Sequence, residues 1–250
     1  MWKYTKAIAK LIFILIYDCF SRIFKYSNHP EKYPLEERYK KVRKLVIQVL
    51  NAFNVEIKDY NFDKFNENNK KNRLIVCNHI SILDPLLIIA KSEKPISFAC
   101  KKEIKKMPIV NRIVRAINGV FLDRKDLKQQ LKVMREIEYN LVNTANLDWC
   151  IFPEGTRNKK PFGEIQEFHH GTFRCATKSG SDIVLVSMFN TFRILDIKDK
   201  AKKYIVPLHY LKTITLEEYK NVTTNILAVE CNQIINEQVL KDIENLYPNS

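Results

Sequence analysis

Glycine occurs only five times in the 250 residues, against roughly 17 in an average chain of that length. So sparing a sequence keeps glycine where backbone geometry demands it. The glycine-built motifs are missing: no G-x-G-x-x-G, no G-x-x-x-x-G-K-[ST] and no G-x-S-x-G, nor is there an H-E-x-x-H. Dinucleotide enzymes, P-loop ATPases, nucleophile-elbow hydrolases and zincins are therefore disfavoured. Six cysteines (19, 77, 100, 150, 175 and 231) form no C-x-x-C or zinc-ribbon spacing. Cys77, Cys100 and Cys150 sit in apolar runs, which predicts buried free thiols in a reducing compartment. Acid is also short: 28 Asp and Glu against 42 Lys and Arg leave a net charge of +14. That excess favours an anionic partner, whether nucleic acid, a membrane surface or a phosphorylated substrate. With 46% hydrophobic and 28% charged residues, disorder, collagen and coiled-coil rods are excluded as whole-chain readings.

Long apolar runs are scarce too. Residues 8–24 are the most hydrophobic stretch, yet they contain Lys10, Asp18 and Arg22, and the unbroken run Leu11–Tyr17 is short. A spanning helix wants ~20 residues with few charges. No small-residue cleavage site follows, so a removed signal peptide is not expected. A helix lying in the membrane interface fits the flanking lysines, with a buried core helix as the alternative. After Pro30 and Pro34, the residues Leu35, Tyr39, Val42, Val46, Val49 and Phe53 form one apolar helical stripe. Residues 1–54 thus read as a membrane-associating helical hairpin, preceding a domain at 55–250.

From residue 55 strand-like and helix-like runs alternate. The strands are Val55–Lys58, Leu74–Cys77, Ile96–Cys100, Val120–Asp123, Trp149–Phe152, Ile183–Phe189 and Tyr204–Leu208. Between most of them lie helical patterns at Leu86–Lys91, Ile109–Ile117, Leu127–Asn143, Thr172–Lys178 and Val222–Leu240. In the third, Leu127, Leu131, Met134 and Leu141 are read as the buried face. Asn61–Arg73 reads as a surface loop. The alternation predicts an α/β fold with a central, mostly parallel sheet flanked by helices. Such sheets bind ligands beyond the carboxyl ends of their strands.

Three strand ends carry candidate chemistry. Leu74–Cys77 runs into Asn78-His79-Ile80-Ser81-Ile82-Leu83-Asp84-Pro85. With His79 in the loop and Asp84 in the first helical turn, the carboxylate can hold one ring nitrogen and leave the other as a base toward a hydroxyl. Ser81-x-x-Asp84 fits a helix capping box equally well. Gly119–Asp123 delivers Arg124 at the next strand end, either as a ligand contact or as a solvated charge beside Asp123. Phe152-Pro153-Glu154-Gly155-Thr156-Arg157 ends a third strand, where glycine allows a sharp turn and Thr156 and Arg157 offer a phosphate grip. As a bare pattern it is also a turn with an exposed arginine.

Taken in order and spacing, the three segments resemble the blocks of the 1-acyl-glycerol-3-phosphate acyltransferase (lysophosphatidic acid acyltransferase, PlsC-type) family. N-H-x-S-x-x-D stands at Asn78, His79, Ser81 and Asp84, G-x-[IVF]-[FL]-[IVL]-[DR]-R at Gly119–Arg124, and F-P-E-G-T-R complete at Phe152–Arg157. The resemblance covers roughly residues 74–210. It implies transfer of a fatty acyl group from acyl-CoA or acyl-carrier protein to the free hydroxyl of lysophosphatidic acid, giving phosphatidic acid for phospholipid synthesis. It implies His79 as general base, Asp84 as its orienter, and Arg124, Glu154, Gly155, Thr156 and Arg157 as the binding site for the acceptor. No metal or cofactor is implied, and the place of work is the cytoplasmic face of a membrane. Two departures stand out. Phe168-His169-His170-Gly171 has histidines where the family often has Lys or Arg, and Ile183–Val186 lacks the family's proline.

Another lysophospholipid, or glycerol-3-phosphate, is the alternative acceptor. A basic nucleic-acid-binding protein is the alternative of another class. It accounts for the charge but not for the blocks, and aromatics interleaved with lysine on one surface are not evident.

Overall fold

The computed structural model describes residues 23–67, 71–199 and 201–248. The predicted interfacial helix at 8–24 lies almost wholly outside them, as does Cys19. The described chain opens with the short helix α1 (Phe24–Asn28) and a 3-10 turn at Pro30–Lys32. Helix α2 (Leu35–Ala52) follows; Tyr39, Val42 and Val46 of its predicted stripe are buried, whereas Leu35, Val49 and Phe53 are half-buried and Leu45 and Leu50, outside the stripe, are buried instead.

Then come β1 (Val55–Tyr60), α3 (Phe62–Glu67), β2 (Leu74–Cys77), α4 (Asp84–Lys91), β3 (Ile96–Lys101) and α5 (Pro108–Ala116). The rest is β4 (Val120–Leu122), α6 (Leu127–Asn143), β5 (Asp148–Ile151), α7 (Arg174–Ser179), β6 (Ile183–Met188), β7 (Tyr204–Ile214), α8 (Leu216–Tyr219) and α9 (Thr224–Leu246).

Among the described residues the strands form one seven-stranded sheet in the order β1-β7-β6-β2-β5-β3-β4. Neighbours are parallel except at β6–β7. The α/β expectation is thus met. The chain steps from β2 through β3 to the edge strand β4, with α4 and α5 on one face. It then returns through β5 to β6, with α6 and α7 on the other. Right-handed crossovers require this change of face when the direction of travel reverses. The carboxyl ends of β2 and β5, side by side, therefore send their chains opposite ways and leave a crevice between them.

Alternate side chains of the central strands feed two cores. Ile75, Cys77, Cys150, Val184 and Val186 meet α2, α3 and α4 on one face. Leu74, Val76, Trp149, Ile183 and Leu185 meet α6, α7 and α9 on the other. α2 is thus packed into the same core as the sheet. Cys77, Cys150, Cys175 and Cys231 are buried free thiols, and Cys100 is partly covered. At the amino edge, the buried Asp148 takes hydrogen bonds from Arg73 N (2.8 Å), Nε (3.0 Å) and Nη2 (2.6 Å), and its Oδ1 lies 2.9 Å from Lys94 Nζ. This fixes the start of β5 beside β2.

Two expectations are corrected. The presumed loop Asn61–Arg73 contains α3, whose Phe62 and Phe65 are buried and stacked 4.8 Å apart. The buried face of α6 is Val133, Ile137 and Leu141, with Met134 against it, whereas Leu127 and Leu131 are exposed. No described helix is long and apolar enough to cross a membrane.

Candidate active site

The site is assembled where β2, β5 and β6 end. Asn78 leaves β2 buried, and its side-chain amide behaves like one more peptide of the sheet. Nδ2 donates to Met188 O (2.9 Å), and Oδ1 accepts from Met188 N (3.0 Å). That pair ties the end of β2 to the end of β6 and aims the following residue, His79, out over the carboxyl edge.

His79 Nδ1 lies 2.7 Å from Asp84 Oδ2. The same oxygen accepts from Ile80 N (2.7 Å) and Ser81 N (2.8 Å), and Oδ1 accepts from Thr191 Oγ1 (2.5 Å). With donors on every side, the fully buried Asp84 acts as acceptor only, so Nδ1 carries the imidazole proton. Nε2 is left as a lone pair with no described hydrogen bond. The His79–Asp84 contact and part of the capping pattern are thus present together. Asp84 does reach back to Ser81 N, but Ser81 Oγ serves Leu83 N (3.3 Å), not the box position.

The β5 loop grips His79 by its backbone. His79 N donates to Glu154 Oε1 (2.5 Å), and His79 O accepts from Asn158 N (2.7 Å). Phe152 stacks on the imidazole, with centroids 4.4 Å apart and planes 26° from parallel. Gly155 has φ +69°, and a Cβ there would meet the His169 ring at 2.9 Å, so the turn excludes any larger residue.

Glu154 is buried, and its Oε2 accepts from Gln166 N (3.1 Å) and Gln166 Nε2 (3.3 Å). Burial pushes its carboxyl up to about 7, with the bonds from His79 and Gln166 pulling the other way. Both oxygens face inward. Of the residues expected to bind the acceptor, Glu154 has both carboxylate oxygens on the protein's own His79 and Gln166, so it supports the His79 backbone. Thr156 Oγ1 faces Gln166 Oε1 at 3.3 Å, which fastens the same turn.

Arg124 and Arg157 are both exposed at this edge. Though the residue is exposed, partial desolvation by the surrounding protein lowers the Arg124 pKa; Glu103 opposes this, and the nearby Arg157 charge lowers it further. Two strand ends well apart in sequence thus bring two cations within electrostatic reach of one another. Lys102 pairs with Asp123 (2.5 Å), which removes Asp123 as a counter-charge for Arg124. The His169 ring stands against Gly155 in the site, while His170 is exposed at the start of a 3-10 turn.

Sequence reasoning missed Thr191, Gln166 and Asn158. Thr191 follows Asn190, which sits at φ +73°, far along the chain from Asp84. No local pattern marks it. Asn158 directly follows the F-P-E-G-T-R block and was open to notice.

A family model described as Acyltransferase matches residues 55–208. A probable 1-acyl-sn-glycerol-3-phosphate acyltransferase of Mycoplasma pneumoniae is 32% identical over 183 residues, 71% of this chain and 66% of that relative. Its counterpart in Mycoplasma genitalium is 29% identical over 225 residues, 85% of this chain and 81% of that one. The crystal structure of the 1-acyl-sn-glycerophosphate acyltransferase PlsC from Thermotoga maritima superposes with a TM-score of 0.68 at 22% identity, covering 96% and 92% of the two chains. That likeness carries the fold.

Proposed function

The chain belongs to the acyltransferase family, and from that premise we propose that it acylates the free hydroxyl of lysophosphatidic acid to give phosphatidic acid. The relatives' names, 1-acyl-sn-glycerol-3-phosphate acyltransferase, support this acceptor. The observation that carries the mechanism is the His79–Asp84 pair at 2.7 Å, with Nε2 left free at the carboxyl edge.

In this reading the acceptor's phosphate lies between Arg124 and Arg157, which places its hydroxyl before His79. Nε2 takes the hydroxyl proton as the oxygen attacks the thioester carbonyl of the donor. The new C–O bond forms, the tetrahedral intermediate collapses, and the C–S bond breaks. The departing sulfur takes the proton back from His79, which returns the base to its starting state. Asp84 steadies the imidazolium in between. The donor is an acyl thioester, of CoA or of a carrier protein, and it enters as a substrate. No cofactor takes part in these steps. The work is done on a membrane, where both acceptor and product reside.

The test is purified protein with lysophosphatidic acid, lysophosphatidylglycerol and glycerol-3-phosphate, each with acyl-CoA or acyl-carrier protein, product read by mass. Phosphatidic acid from the wild type, and its loss in a folded His79→Ala variant, is the expected result. General-base removal costs roughly 10²–10⁴ in rate. A folded His79→Ala protein that retains a tenth of wild-type turnover overturns the base assignment. Product from another acceptor alone moves the activity elsewhere in the family.

A further inference from the structure

A cavity of about 330 Å³ opens along the outer edge of β4, between that strand and α6. Lys105, Arg115 and Lys132 converge on it, with Glu136 as the one carboxylate in its wall. None of these four is ion-paired within the described residues, so two positive charges in excess face an otherwise unclaimed space. Lys105 Nζ stands 5.2 Å from the centroid of the Phe121 ring, which forms part of the wall.

The cavity is not a place for an added strand. Gln129 has already closed the edge: its Nε2 donates to Phe121 O (2.7 Å), and its Oε1 accepts from Asp123 N (2.6 Å). Those two backbone groups, on residues two apart, are the pair that a neighbouring strand would use. With the backbone satisfied, the side-chain cations are what the cavity offers a ligand.

Its place in the fold narrows the ligand. The next residue beyond Asp123 is Arg124, whose carbonyl is held by Gln130 Nε2 (2.8 Å) from the same helix. The cavity thus lies along the same edge strand that delivers Arg124, one of the proposed acceptor contacts. In the sheet order β4 stands three strands from β2, about 14 Å at the usual strand spacing. An extended pantetheine arm is of that order. The acceptor has one phosphate, and Arg124 and Arg157 answer it. Phosphates on the donor need cations of their own.

We propose that the cavity beside β4 binds the phosphate-bearing nucleotide end of coenzyme A, holding the acyl donor while its thioester reaches His79. This rests on the acyl-transfer reading above. Three cations match the three phosphate groups of CoA better than the single phosphodiester of a carrier-protein arm, and the volume suits a small-molecule site.

The test is calorimetric titration of CoA into the full-length protein with no acceptor present, so no turnover is needed. Lys132→Glu and Arg115→Glu are compared with wild type and with Lys241→Glu, an exposed change of the same charge on α9. Each pocket change should weaken CoA binding at least about tenfold, the loss of one charge-assisted hydrogen bond, and Lys241→Glu should not. The pocket changes should also raise the KM for acyl-CoA and leave that for lysophosphatidic acid alone. Equal CoA affinity in all four proteins overturns the proposal. So does a wild type that ignores CoA and uses only carrier protein. A third overturning result is a pocket loss seen with phosphatidylglycerol vesicles and not with CoA, which would make the cavity a lipid headgroup site. A protein that binds CoA through Lys132 yet acylates nothing refutes the acyl-transfer reading and leaves the CoA site standing.

Discussion

Asp84 serves four donors with two oxygens, and that arithmetic decides what its amide analogue does. In Asp84→Asn one oxygen becomes an NH₂. Turned toward Thr191 it can donate to that hydroxyl while the remaining oxygen keeps His79, Ile80 and Ser81; turned the other way it faces three N–H donors. Either way the carboxylate charge that steadies the imidazolium is gone. Turnover should fall by at least about 10², and melting temperature should fall with it. Steady-state rates read beside a thermal melt check this; a stability loss with full activity would reduce Asp84 to a helix cap. Glu154 gives a second prediction, in pH. Its folded value of about 7 lies above the ordinary 4.5. Between those values the folded chain keeps a proton that the unfolded chain releases. This carboxyl's contribution to stability therefore falls as pH rises through that window and levels off above 7, a change of order 3 kcal/mol. Glu154→Gln approximates the protonated acid and does not titrate. The melting temperature of wild type minus that of the variant should thus be highest near pH 4.5 and decline toward pH 7. A flat difference means that Glu154 keeps its charge in the fold.

At the scale of elements, β4 is short, and its entry from α5 is governed by Gly119. A Cβ there would stand 2.6 Å from Val114 Cγ1, 2.9 Å from Val114 O and 3.2 Å from Phe98 O. Two of those atoms are backbone and cannot turn aside. Gly119→Ala should therefore cost about 1–3 kcal/mol, as overpacking does, and should move Arg124 with its strand. A lowered midpoint in denaturant together with a raised acceptor KM checks both halves. The glycine was legible in the sequence because scarcity marked it. The strands were legible as well, since each central one is a short apolar run between polar breaks: β2 matches its expected span, Leu74–Cys77. Where one face meets solvent, the reading weakened. β7 runs on to Ile214, well past the expected Leu208, because its second half is mostly half-buried, with Lys212 exposed, and pairs with β6 across a bulge at Leu185/Val186. α6 was found end to end but turned wrongly. Its leucines at 127 and 131 mimic a stripe, while Val133, Ile137 and Leu141 make the contact. In the site, His79, Asp84 and the arginines came from local pattern. Thr191 and the Asn78–Met188 lock did not, since only the sheet order brings β2 beside β6.

At the scale of the whole molecule, the proposed acylation of a lysolipid calls for a hold on a lipid surface. The net charge of +14 attracts anionic membranes but is screened by salt, whereas apolar insertion is not. The two contributions map to different places. Residues 8–22 carry the apolar run. Between Lys101 and Arg115 the side chains of Lys101, Lys102, Lys105, Lys106 and Arg115 are exposed, with Met107 and Ile109 uncovered among them. Among the described residues α1 packs against α5, with the Arg112 guanidinium 3.5 Å from the Phe24 ring centroid. A truncation that tests the apolar run must therefore stop at residue 22. Ile23 is buried with Leu45, and Tyr26 is buried with its hydroxyl on Glu37 (2.7 Å), so a cut at 26 would injure the fold as well. The chain lacking residues 1–22 should melt close to the full chain and still bind anionic vesicles at low salt through its basic surface. Raising the salt to about 1 M, where screening acts within about 3 Å, should release it. The full chain should stay on the vesicles under the same wash. If the shortened protein resists high salt as well as the full one does, the apolar anchor is not at 8–22, and Met107 with Ile109 becomes the place to look.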